Sequence, residues 1–221
     1  MCLASTHRVC ELYIMFKNKL FLIIETGYLF IFPLILLRFY PTFIHYRIYV
    51  LMGSLIYIFI VVYSQKITSK NLGLNPSRFF PATKALFIPT VLSMLLTFVF
   101  FQLARKWLII PVLVEEIRTP SIAVSVLTYI FVSAPLQEFV YRGYLVSRLE
   151  IVSRNATFIK LYSAIIFMVI HTPFYNWFLP LGSLILGLLW TGNFLTYRNV
   201  YALMLSHTLI GATYIILMGM S

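Results

Sequence analysis

Five ionisable residues stand inside otherwise apolar stretches of this 221-residue chain: Glu25, Glu138, Arg142, His171 and His207. Charge is costly where water cannot reach it, so each marks a place where chemistry or a specific partner offsets that cost. Glu138 and Arg142 are four apart, which puts them on one helix face within pairing reach. Such a pair lowers the cost of both charges in lipid, and a purely structural ion pair is one reading of it. Pro135, one turn earlier, is expected to kink or open the helix near the carboxylate, and Gly143 allows close packing or a helix end. His171 closes the run Phe167-Met168-Val169-Ile170-His171, with Phe167 one turn back on the same face. His207 lies well inside the last apolar run, with Leu203 and Gly211 one turn to either side. A carboxylate with two imidazoles is what water activation requires: a base for the proton, donors for an oxyanion, or ligands for a metal such as zinc. A proton or ion relay in a small transporter would use the same groups, but such folds usually carry internal repeats, and none is visible here.

The elements that position these groups follow from hydropathy. Hydrophobic residues make up 61% of the chain and charged residues 10%, against roughly 45–50% and 25% in soluble domains. A water-soluble fold could not cover such a core. No Asp, Glu, Lys or Arg occurs between Lys160 and Arg198, and about 20 apolar residues suffice to cross a bilayer as a helix. The runs are continuous rather than alternating, which selects helices over barrel strands. The expected fold is an all-α, polytopic transmembrane helical bundle in one domain over 1–221. Its seven spans fall near 20–37, 47–65, 85–104, 121–141, 158–174, 179–195 and 199–218. The first is expected to be interrupted by Glu25 and broken near Pro33, and the fifth and sixth to join in a tight turn between Pro173 and Pro180.

The net charge of +11 belongs to clusters flanking the spans, such as Lys17/Lys19, Lys66/Lys70 and Arg148/Arg154. That pattern meets anionic headgroups and sets orientation, and it argues against a nucleic-acid partner. With the N-terminus cytoplasmic, the inner segments hold 11 basic residues and the outer segments 5, so this orientation is expected, with the Lys66–Lys84 loop inside. Cys2 and Cys10 both precede the first span and imply neither a disulfide framework nor a metal knuckle. No cleavable signal peptide is expected, because the first apolar run is long enough to remain an anchor. Glu25 is expected to neutralise a buried arginine or histidine, and Glu115-Glu116 to be solvated at the outer surface. Trp107, Trp177 and Trp190 fit interfacial belts. Ser183 and Gly187 have the spacing that lets two helices approach closely.

Taken in order, Gln137-Glu138-Phe139-Val140-Tyr141-Arg142-Gly143, Phe167-x-x-x-His171 and the later His207 resemble the three motifs of the CPBP family of intramembrane endopeptidases. These are the CAAX proteases and bacteriocin-processing enzymes, also called the Abi family. The likeness runs from about 121 to 212, and Leu72-Gly73-Leu74 is similar to the family's cytoplasmic segment. It implies a peptidase of the bilayer acting on a membrane-associated or lipid-modified peptide or protein. The implied site residues are Glu138, His171, His207, Arg142 and Gln137, with a metal, if one is used, on Glu138, His171 and His207. The resemblance makes Glu138 the base, His171 the residue that positions water, His207 the oxyanion donor, and Arg142 the partner that keeps Glu138 ionised. Two positions depart from the pattern. Gln137 stands where a first glutamate is usual, and Gly211 where an asparagine or aspartate follows the second histidine. Asn199 and Asn176 are the nearest alternative donors in sequence. A member that binds membrane peptides without cleaving them, as an immunity or chaperone-like factor, is the alternative these departures raise.

Overall fold

The computed structural model describes residue 16 and residues 18–106, 121–172 and 177–219. Cys2, Cys10, Trp107, Glu115, Glu116 and Asn176 lie outside the described residues, as do the residues just after Thr172 where the tight turn is expected. Among the described residues seven helical rods follow one another: α1 (Lys19–Phe39), α2 (Arg47–Ser64), α3 (Phe79–Lys106), α4 (Ile122–Val152), α5 (Ala156–Val169), α6 (Phe178–Tyr197) and α7 (Val200–Gly219). Five are long and apolar enough to cross a membrane, while α2 and α5 are shorter apolar helices. Ile23, Ile56, Phe59, Ile88, Leu95 and Ile185 stand more than half exposed on the outside, as lipid-facing side chains must. The chain is an integral, multi-pass membrane protein.

Side-chain oxygens fix where several rods begin. Asn18, Ser121 and Asn155 accept from Leu20, Val124 and Phe158 backbone N–H groups, and Asn199 accepts from Ala202. α6 ends on Arg198, whose left-handed backbone (φ 49°) turns the chain directly into α7. Pro33 does not break α1. The residue before it, Phe32, donates to Gly27 five positions back, so a π turn over Gly27–Ile31 absorbs the proline. Pro135 is accommodated the same way in α4, where Ala134 donates to Tyr129 across a π turn. A second π turn, Phe139–Tyr144, follows at once. Such turns add a residue to the helix and re-aim the side chains beyond them.

The largest difference from the sequence expectation is the length of α4, which runs to Val152 rather than stopping near 141. Gly143 is therefore no helix end; a Cβ there would sit 3.0 Å from the Leu72 carbonyl oxygen, so its role is close packing. Arg148, read above as a headgroup contact, is fully buried within the extension. It pairs with Glu25 of α1 at 3.0 Å, and the Tyr144 hydroxyl donates to the same carboxylate. The pairing role expected for Glu25 is thereby realised.

α5 packs on α6 where Gly187 faces Ala164; a Cβ on Gly187 would lie 2.9 Å from the Ala164 Cα. α3 packs along α7, and α4 also packs against α7. At the end of the bundle where α3 begins and α6 turns into α7, the Leu72-Gly73-Leu74 loop folds back onto the helices. Val200 N–H donates to the Gly73 carbonyl (3.0 Å), Asn199 Nδ2 to the Asn75 carbonyl (2.7 Å), and Ser147 Oγ to the Asn71 carbonyl (2.8 Å). Gly73 needs its positive φ of 74° for this path.

Candidate active site

α4 supplies Gln137 and Glu138 between its two π turns and Arg142 within the second, α5 ends near His171, and α7 carries His207 eight positions into the helix. Glu138 and Arg142 are fully buried, with Arg142 Nη1 donating to Glu138 Oε1 at 3.2 Å. The same oxygen lies 2.7 Å from His207 Nδ1. An ionised Glu138 therefore selects the tautomer in which Nδ1 carries the proton and Nε2 is left as the acceptor. The second carboxylate oxygen, Oε2, is buried without a hydrogen-bond partner among the described residues, and so is Gln137 Oε1.

Aromatic rings hold the imidazole in place. Trp190 lies over His207 at 4.6 Å between centroids, while Phe167 (5.7 Å) and Tyr129 (5.8 Å) meet it edge-on. Trp190 is itself pinned: its Nε1–H donates to Ser206 Oγ at 3.0 Å, and Ser206 shares a 2.7 Å bond with Thr90 of α3. Trp190 is 1% exposed, so it is a wall of the site and not part of an interfacial belt; Trp177, 82% exposed, does stand at the surface. Phe167 joins the motif residues. Its ring lies 4.7 Å from the His171 ring and 4.1 Å below the Arg142 guanidinium carbon. Two guanidinium nitrogens of Arg142 have no hydrogen-bond partner, and the faces of Phe167 and Trp190 take their place as cation–π acceptors. His171 Nδ1 meets the Phe167 carbonyl at 2.7 Å, which likewise puts its proton on Nδ1.

These groups border a cavity of about 460 Å³ between α3, α4, α5, α6 and α7. Gln137, His171, His207, Tyr129, Phe167 and Trp190 line it, with apolar side chains such as Leu96, Leu181, Ile185 and Ile215 over most of the remaining wall. Glu138 and Arg142 are absent from the lining and stand behind His207. The sequence residues thus gather at one place in two ranks, with Gln137 and the two imidazoles facing the cavity and the ion pair behind. Asn199 is elsewhere, spent on the Asn75 carbonyl and the start of α7. Tyr129 and Ser206 were not singled out by sequence, and Trp190 only as an interfacial ring. Among the described residues no three His, Cys, Asp or Glu side chains stand together as a metal-holding group, and Glu138 Oε1 is already shared by Arg142 and His207.

Residues 119–213 match the family model described as type II CAAX prenyl endopeptidase Rce1-like. That segment is similar to the Rce1-like family. The matched segment includes Gln137, Glu138, Arg142, His171, His207 and Gly211; α1, α2 and α3 lie before it. No curated protein and no solved structure matches the chain.

Proposed function

We propose that the chain is an intramembrane endopeptidase that hydrolyses a peptide bond of a prenylated, CAAX-type membrane substrate. The observation that carries this reading is His207, bound through Nδ1 to a buried carboxylate and bordering an apolar cavity. In this arrangement Glu138 is a positioning residue, not the base. It fixes the His207 tautomer and stabilises the imidazolium that forms, while Arg142 keeps Glu138 ionised. His207 Nε2 takes a proton from water as the water oxygen bonds to the scissile carbonyl carbon. The carbonyl electron pair moves onto its oxygen; collapse of that intermediate breaks the C–N bond, and His207 returns the proton to the leaving amine. Gln137 cannot take a proton, but its unpartnered Oε1 can accept a hydrogen bond from the attacking water. His171, packed on the same Phe167 ring as His207, borders the cavity and limits the poses open to the substrate backbone. The apolar lining suits a lipid chain, and the similarity to prenyl endopeptidases suggests a prenyl group. No step is routed through a metal, because the carboxylate and imidazoles do not converge on one point among the described residues.

The second reading, a member that binds without cleaving, draws on Gln137 in place of a carboxylate. Full-length protein in phosphatidylcholine/phosphatidylglycerol vesicles, given a fluorogenic peptide with a farnesylated CAAX tail, separates the two. The peptidase reading expects cleavage, reduced on the order of 10²-fold or more in His207→Gln. Saturable binding of the farnesylated peptide with no cleavage would establish the alternative.

A further inference from the structure

We propose that the Tyr129 hydroxyl is the donor that receives the oxyanion in this site, and that position 211 is glycine in order to admit it. The inference rests on the hydrolytic reading above. Gly211 lies one turn beyond His207 on α7, in a helix interior where alanine would be favoured by about 1 kcal/mol. A Cβ at that position would overlap Oη, Cζ and Cε1 of Tyr129. The phenol therefore fills the volume into which any side chain at 211 would project.

The obstacle is not a flexible chain end that could swing aside. Tyr129 opens the Tyr129–Ser133 π turn of α4, and its ring stands edge-on to the His207 imidazole at 77°. It lines the same cavity as Gln137, His171 and His207. As water attacks and His207 Nε2 takes the proton, the carbonyl electron pair collects on oxygen and needs a neutral O–H or N–H donor nearby. His171 is a poor candidate, because its Nδ1 proton is directed at the Phe167 carbonyl and its neutral Nε2 is an acceptor. Tyr129 brings an O–H donor to the His207 side of the cavity, on a ring already positioned by the helix it touches.

Tyr129→Phe tests this, since it keeps the ring, the fit to Gly211 and the edge contact with His207 while deleting one hydrogen-bond donor. With the farnesylated peptide in vesicles, kcat should fall about 10²-fold, with KM within about twofold and the thermal midpoint unchanged. A farnesylated peptide aldehyde, whose hydrate carries the tetrahedral diol, should lose affinity by a similar factor. The corresponding alcohol, which has no such diol, should bind as before. A wild type that cleaves while Tyr129→Phe cleaves equally well overturns this inference and leaves the peptidase reading standing. Parallel loss of alcohol and aldehyde binding, or a lowered midpoint, assigns Tyr129 a packing role and also overturns it. A wild type that cleaves nothing overturns both proposals together.

Discussion

Among the described residues two carboxylate–arginine pairs are buried, both with an arginine from α4. Glu25 and Arg148 meet at 3.0 Å, Glu138 and Arg142 at 3.2 Å, and both arginines are wholly inaccessible. Their surroundings differ. Glu25 is capped by the Tyr144 hydroxyl, Tyr57 of α2 stands beside it, and neither the large cavity nor the smaller one between α1, α2 and α4 reaches it. Glu138 is capped by an imidazole whose other side borders the large cavity. A tyrosine ends a polar network at a group that keeps its proton near neutral pH, whereas a histidine continues it to a group that can exchange one. The first pair joins three helices at a sealed point; the second holds a proton acceptor at the edge of a space that a substrate can enter.

The most severe way to break that contrast is to neutralise each carboxylate in turn. Glu138→Gln retains the shape of the site but removes the charge that holds His207, and cleavage should fall on the order of 10³-fold. The protein should still fold, with a lowered midpoint in detergent thermal melts because Arg142 loses its carboxylate. Full activity in folded Glu138→Gln would remove the ion pair from the mechanism. Glu25→Gln should act in the other currency, lowering stability by about 3–5 kcal/mol because it strands Arg148. The kcat of the protein that remains folded should stay within about twofold. A kcat loss at constant stability would mean the two pairs communicate.

The double replacements sharpen the comparison further. Glu25→Met with Arg148→Met removes both charges from the sealed site and should recover most of the stability lost in the single variant, since an apolar pair is often no worse than a buried ion pair. Glu138→Met with Arg142→Met should remain inactive whatever its stability. A more moderate effect is expected at the Trp190 clamp. Trp190→Phe deletes the bond to Ser206 while keeping a ring over His207, and should cost about tenfold in kcat with a small change in KM.

Much of the second pair could be read in the sequence, because an ionisable residue in an apolar run is expensive and therefore conspicuous. Glu138, Arg142, His171 and His207 stood out for that reason alone. Arg148 did not, since a basic residue after an apolar run reads as the edge of the membrane until its partner is known. Glu25 lies more than a hundred positions away, and no local pattern joins the two. α4 was truncated for the same reason. Tyr129 was hidden by abundance: among 15 tyrosines and 20 phenylalanines, no spacing distinguishes a ring that borders an imidazole from one that faces lipid. Trp190, one of three tryptophans, read as an interfacial ring. The glycine at 211 was visible as a departure from a motif, but its cause lies on another helix. The π turns at Gly27–Ile31 and Tyr129–Ser133 had a local signal, a proline two residues after each, yet the expectation attached to Pro33 was a break.

The smallest effect is expected at Gln137, which adjoins the ion pair in sequence but faces the cavity in space. Its side chain also borders the smaller cavity of about 260 Å³ between α1, α2 and α4, so it stands in the wall between two apolar spaces. Its Oε1 has no protein partner, which suits a group that holds water without competing for its proton. Gln137→Glu keeps the size and the acceptor and adds a charge. If His207 is the base, a second acceptor beside the water is nearly redundant, and kcat should lie between unchanged and about tenfold higher. The added charge is also near Glu138 in a dry environment, so the thermal midpoint should drop slightly. A rise well beyond tenfold would show that His207 is a weak base here and that the carboxylate at 137 takes over the proton. A loss beyond tenfold would show instead that the amide N–H₂ of Gln137 donates to the substrate. The water would then be held by Glu138 Oε2, the other buried oxygen without a partner, which would move the ion pair from behind the site to its front.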